Sequence, residues 1–397
     1  MKKSVCLYFQ VNQPTGLRLY RFFDIGKDSH YYDDYANRTA VKKAAQNCYL
    51  PMNEIILDAI KKTKGKFKVA FSISGSTLEL LDRYAPEVIE SFRALAQTGS
   101  VEFLCETYYN SLASVGPESE FKLQVMKHKE AVKAFFGVEP VTFRNTELIY
   151  SDSIGAQLYE MGFKTILAEG ARHILGWKSA NYVYNNDLKE AQKVLFRNYS
   201  LSDDLSFRFS DRNWSEWPLT AEKYTNWLES AEGDVLNIFM DYENLGSHQG
   251  AETGILEFMK DLPAEVLGRK TLDFQTPSEI AKKHASVGEI SVPQPTSWAD
   301  EERDLTAWLG NELQQEAFNK VYALQEKLSI LDDAALWADY GHLQESQNFY
   351  YMSTKFFTTG QVERKDSPYN TPYEAFINFM NVLSDFNIRV NNAIAEK

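Results

Sequence analysis

Eight short apolar runs alternate with amphipathic helical stretches, and this alternation restricts the fold more than any other feature of the chain. The runs are VCLYFQV at 5–11, FKVAFSIS at 67–74, VEFLCET at 101–107, VTFRNTEL at 141–148, KTILAEG at 164–170, KVLFRNYS at 193–200, VLNIFMDYE at 235–243 and KTLDFQTP at 270–277. Each is short and nearly continuous in apolar residues, as a strand buried on both faces requires. Between them, MNEIILDAIKKT, PEVIESFRALAQTG, EFKLQVMKHKEAVKAFFG and SIGAQLYEMG carry apolar residues at three-to-four spacing, the mark of a one-sided helix. Strand alternating with helix means parallel strands. Seven or eight such units predict an α/β fold with an irregular (β/α)7-type barrel over residues 1–295. After SVPQPTSW the strand signal stops. Leu305, Trp308, Leu309, Leu313 and Phe318 mark one helix face, and Tyr373, Phe376, Ile377, Met380 and Leu383 another. Residues 296–397 are therefore expected to form a helical region packed on the barrel.

In such barrels the chemistry sits where strands end. Here the strand ends carry Asn12, Ser74, Glu106, Glu147, Glu169, Arg197, Asp241 and Thr276. Glu147 is a candidate acid or nucleophile, with an ion pair to Arg144 as the plainer reading. Asp241 is the second candidate, with capping as its plainer reading. Two carboxylates on different strands of one barrel suit glycoside cleavage, which needs one group to protonate the leaving oxygen and another to act on the sugar or on water. A close pair also drives its own pKa values apart.

Other chemistries fit less well. The net charge of −13 leaves no basic surface for nucleic acid. There is no GxSxG elbow and no P-loop. The histidines at 30, 128, 173, 248, 284 and 342 fall at no metal-binding spacing, so no metal or cofactor is expected, and a metal-dependent deacetylase on a similar barrel lacks its ligands. His128, in a Lys-rich helix, reads as a surface residue; His173 and His248 lie near strand ends, where a substrate could meet them. Cys6, Cys48 and Cys105 show no CxxC spacing and suggest reduced thiols in the cytoplasm. MKKSVCLYFQVNQP reads as a first strand, not a signal peptide, and no stretch is long and apolar enough for a membrane span. Aromatic residues are 14% of the chain, enough to fill a large core and also to stack on sugars.

At these positions the chain resembles glycoside hydrolase family 57, the α-amylase-like group. QVNQP, EFLCETYYNSL, FRNTELIY, FMDYENLGSHQ and SWADEERDLTAWLGNELQ resemble its five motifs in order. The resemblance implies an incomplete (β/α)7 barrel with a helical C-terminal region, acting on α-glucans with retention. It implies Glu147 as nucleophile and Asp241 as general acid/base, with carboxyls roughly 5–5.5 Å apart. It makes Asn12, Glu106, Asn110, His248, Trp298, Asp300 and Asp304 candidate contacts to the sugar. The plainer readings are interdomain packing for Trp298 and Trp308, preferred for Trp308, and helix capping for Asp300. The chain also departs from the family. Asn12 and Asn110 stand where histidine is usual, Gln347-Asn348 where Asp-His is usual, and Cys105 where glycine is usual. Asparagine cannot carry a proton. The expectation is thus an α-glucan hydrolase or transglycosylase with an α-glucan or maltooligosaccharide substrate. A glucan-binding or regulatory relative with weakened or lost catalysis is the alternative.

Overall fold

The computed structural model describes residues 2–355 and 367–397. All eight expected runs form strands. They are β1 (Lys3–Val11), β2 (Val69–Ile73), β3 (Val101–Phe103), β4 (Thr142–Arg144), β5 (Thr165–Glu169), β7 (Lys193–Arg197), β8 (Val235–Asp241) and β9 (Leu272–Phe274), with β6 (Val183–Asn186) and β10 (Glu289–Ile290) in addition. One sheet has the order β3-β2-β1-β8, with β9 pairing the start of β1. The other has the order β10-β6-β7-β5-β4. The two sheets meet along two seams. At one, Cys105 bridges in parallel to Phe143. At the other, the Asn198 amide donates to the Asn237 carbonyl at 2.9 Å, and the Arg197 Nε to the Phe239 carbonyl at 2.8 Å. The strands β8-β1-β2-β3-β4-β5-β7 thus follow one another around an irregular barrel. The antiparallel β6 and the two-residue β10 extend the second sheet beyond this ring.

Side-chain alternation along each strand sorts the core. Val5, Leu7, Phe9 and Val11 face the helices outside the first sheet. Cys6 and Tyr8 join Ala70, Leu104, Leu167, Leu195 and Phe239 in a small central cluster. A third cluster joins Phe143, Ile166, Val194 and Phe196 of the second sheet to Trp308, Val321, Phe349, Phe379 and Phe386 of the C-terminal helices. The helical region therefore shares a core with the second sheet. Trp308 is buried there, as packing predicts.

Three expectations need correction. The apolar face expected from 305 to 318 is split between two helices, Thr306–Leu309 with Leu305 just before it and Glu312–Tyr322, separated by Gly310 and Asn311. In the helix Pro372–Ala395, Tyr373 and Ile377 are exposed, and the buried face is Ala375, Phe379, Val382, Leu383, Phe386 and Val390. His128 is fully buried, not on the surface. Its helix, Glu118–Phe136, turns the histidine towards the barrel, where Nε2–H donates to the Ile73 carbonyl at 2.8 Å and Nδ1 accepts from the Glu106 amide at 3.2 Å. Burial pulls its pKa down to about 4, so it is a neutral strut between β2 and β3.

His342 fastens the helical region to the barrel. Its ring lies 3.3 Å from Glu79 on the helix Gly75–Tyr84 and 2.8 Å from Glu345. Glu345 in turn accepts from the Thr15 amide. Burial opposes the imidazolium, but the hydrogen bonds and charges of Glu345 and Glu79 outweigh it and push the pKa up to about 9. A histidine raised above its unfolded value of about 6.5 adds stability that is complete below that pH. That stability is lost as pH rises through the folded value. Wild type is expected to lose up to roughly 3 kcal/mol between pH 6.5 and 9. His342→Gln should lack this histidine's share and so decline less over that range than wild type, which urea denaturation of both proteins will read.

Candidate active site

The same alternation that builds the barrel core places a polar residue at the inward end of each ring strand. Two residues beyond Tyr8, Ala70, Leu104, Thr142, Leu167, Leu195 and Phe239 stand Gln10, Ser72, Glu106, Arg144, Glu169, Arg197 and Asp241. Registers tie this layer together: Gln10 pairs with both Ser72 and Asp241, and Glu169 with Arg197. The charges alternate in sign. Arg144 lies 3.7 Å from Glu106 with both side chains fully buried, and Arg197 lies 3.4 Å from Glu169 and 2.6 Å from Asp203.

Glu147 follows β4 on a tight turn with φ 55° and ψ 25°, and Leu148 also has positive φ, at 52°. Two successive non-glycine residues in the left-handed region cost about 1–3 kcal/mol each and persist only when their surroundings fix them. Here Asn145 bonds Ser114 and the Ile149 carbonyl, Thr146 bonds Thr107, and Leu148 is buried in the central cluster. The turn aims Glu147 at two donors. The Trp298 indole N–H donates to Oε2 at 2.6 Å, and the Ser346 hydroxyl to Oε1 at 3.4 Å. Burial raises the Glu147 pKa, Arg144 and the Trp298 bond pull it back, and the charge of Asp241 adds to the rise. Burial also raises Asp241, against the fields of Arg144 and Arg197. The two carboxylates thus share one electrostatic neighbourhood.

The remaining expected residues divide. Trp298 lies beside Glu147, with the Arg144 and Arg197 guanidiniums over its ring at 4.9 and 5.8 Å. Its indole orients Glu147 besides packing on the central cluster. Glu106 belongs to the ring, and burial, only partly offset by Arg144, pushes it up to about 7. Asn110, with φ 45°, links Gln10 to Ser346. Asn12 accepts from Ser74 at 2.9 Å. Asp304 closes its own loop through Thr306, and Asn348 donates to the His342 carbonyl. Asp300 caps no helix, because the next one starts at Thr306 with Leu305 before it; Asp300 pairs with Lys355 at 3.1 Å. His248 is exposed on the turn after β8, 3.0 Å from Asn244.

Sequence reasoning passed over four groups. Gln10, inward on β1, accepts from Arg144. Glu243, two residues beyond Asp241, accepts from Tyr49 and Gln13, and burial with the charge of Asp241 pushes it up to about 7. Period-two counting from Tyr8 finds the first, and the acidic end of VLNIFMDYE signals the second. Ser346 and His342 come from the helical region, and no local pattern marks them.

Residues 6–293 match the family model described as glycosyl hydrolase family 57. A curated relative from Methanocaldococcus jannaschii, named "Putative alpha-amylase", is 38% identical over 406 residues, covering 98% of this chain and 85% of that protein. The GH57 branching enzyme from Thermococcus kodakaraensis, solved in complex with glucose and additives, superposes with a TM-score of 0.73 at 13% identity, covering 100% of this chain and 91% of that one. The 4-alpha-glucanotransferase from Thermococcus litoralis superposes with a TM-score of 0.62 at 16% identity; 92% of this chain is covered, which spans only 53% of that one. The two superpositions speak to the fold, and the family model and the curated relative speak to descent. On that ground the chain belongs to glycosyl hydrolase family 57.

Proposed function

We propose that the protein is a retaining α-glucan hydrolase or transglycosylase in which Glu147 is the nucleophile and Asp241 the general acid/base. The observation that supports this reading is that Asp241 ends β8 within the ring of alternating charge, while Glu147, on the buried turn just after β4, lies within reach of the charges of Asp241 and Arg144. Their surroundings support different roles. The donors on Glu147, Trp298 and Ser346, favour its anion, as a nucleophile needs. Burial raises both carboxyls, so it is the two donors on Glu147 that set the pair apart and leave Asp241 as the partner that holds a proton at the start of the cycle. Glu147 attacks the anomeric carbon while Asp241 protonates the departing glycosidic oxygen. Asp241 then takes a proton from water or an acceptor hydroxyl as that oxygen attacks the same carbon and releases Glu147. The α-glucan substrate is supported by the names of the relatives. Three buried free thiols agree with a reducing compartment such as the cytoplasm.

Incubation with maltoheptaose followed by separation by chain length tests this. Shorter products alone indicate hydrolysis, and longer and shorter products together indicate transfer. Fresh products should carry the α-anomer by proton NMR. An unchanged substrate peak with binding still seen by calorimetry would replace this reading by that of a glucan-binding relative.

A further inference from the structure

We infer that Gln10, Asn110 and Ser346 form a one-way hydrogen-bond relay that begins at the Arg144 guanidinium and ends on Glu147, making Ser346 of the helical region a positioning residue for the nucleophile. The inference rests on the reading of Glu147 given above. The direction of the relay follows from donor chemistry alone. A guanidinium has donors and no acceptor. Arg144 Nη2 contacts the Gln10 side chain, so Gln10 must turn its carbonyl to Arg144. Its NH2 is then left to donate to Asn110 Oδ1, at 3.3 Å. Asn110 in turn must donate through Nδ2 to Ser346 Oγ, at 3.2 Å. The serine hydroxyl has one proton, and with Asn110 donating to its oxygen that proton goes to Glu147 Oε1, at 3.4 Å. Every amide orientation is fixed by the one before it, and the cation at the start stands three residues before the anion at the end.

The rest of the arrangement is built for this. Gln10, Asn110 and Ser346 are all buried, at 2%, 3% and 1% exposure. Asn110 holds a left-handed φ of 45°, which asparagine tolerates better than most side chains. Its backbone carbonyl accepts the Ser346 amide at 3.0 Å, and Ser111 bridges to Glu345, so two successive residues dock Ser346 against the loop that follows β3.

Glu147 must be ionised to attack, and a donor on its carboxylate favours ionisation. Ser346→Ala removes that donor and should move the Glu147 titration up by about half to one pH unit, below the full effect of a hydrogen bond to a charged group because the contact is long. The midpoint is read from the 13Cδ signal of Glu147, assigned by its loss in Glu147→Gln, and needs no turnover. The acid limb of kcat/KM should move up by the same amount, with kcat falling about tenfold and KM changing little. Ser346→Thr, which keeps the hydroxyl, should restore both. Asn110→Gly, which accepts the positive φ, frees the serine proton to turn elsewhere and should give a smaller shift in the same direction. A Glu147 midpoint that is the same in wild type and Ser346→Ala overturns the relay, whatever the enzyme does to glucans. An upward shift in a protein that turns over no glucan would leave the relay standing and remove the catalytic reading instead.

Discussion

Glu147→Gln is expected to abolish turnover of maltooligosaccharides, lowering kcat by roughly 10⁵-fold or more, the scale on which loss of a covalent nucleophile is felt. The substitution is nearly isosteric, and the carbonyl oxygen of the introduced amide can still accept from Trp298, so the loss should not reflect unfolding. Asp241→Asn is expected to be milder on an activated substrate. A general acid contributes about 10²–10⁴-fold, and a nitrophenol leaving group needs little protonation. The Asp241→Asn enzyme should therefore lose that factor on maltoheptaose and much less of it in the bond-breaking step of a nitrophenyl glucan, where a burst of nitrophenolate should precede slow turnover. Steady-state rates and burst amplitudes for both variants on both substrates distinguish the roles. Residual activity of a tenth or more in Glu147→Gln would sink the assignment, because no other carboxylate among the described residues of the mouth carries the same donors.

The barrel was legible because its strands are buried on both faces and so appear as apolar runs. β6 escaped because its short, half-polar VYNN pairs antiparallel outside the ring, and β10 is only two residues long. The places of Glu147 and Asp241, just after β4 and at the end of β8, were legible because a charge that ends an apolar run is conspicuous. Arg144 drew notice as an ion-pair partner of Glu147. Its observed partners are Glu106 and Gln10, a choice made by the closing of the barrel rather than by sequence spacing. His128 misled because lysines crowd its helix; burial of one residue in a polar helix depends on which face meets the sheet. The helix Pro372–Ala395 carries apolar residues on both faces, so periodicity alone could not choose between Ile377 and Phe379. Ser346 could not be found at all, since it lies 199 residues from Glu147 and reaches it only after the helical region docks.

Arg144→Met should cost more stability than any other single change at the mouth, about 3–5 kcal/mol at pH 8, the range for removing one partner of a buried ion pair. The reason is what the guanidinium faces. It is fully buried, stands 3.7 Å from Glu106, and lowers the pKa of Glu106, Glu147 and Asp241 together. The pH dependence follows from Glu106. Its folded pKa, about 7, already lies above the unfolded value of about 4.3. A carboxyl raised on folding contributes no penalty below the unfolded value, where it is protonated in both states, and a growing one as pH climbs to the folded value. Without Arg144 the folded pKa moves higher still, so the added penalty opens only above about pH 7. The stability difference between Arg144→Met and wild type should thus shrink at pH 5, where Glu106 holds a proton in both proteins, and be largest at pH 8 or above. Urea denaturation of the two proteins at pH 5 and 8 measures it. A loss that is equal at the two pH values would mean that methionine fails by shape alone and that Arg144 is not the counter-charge of the ring.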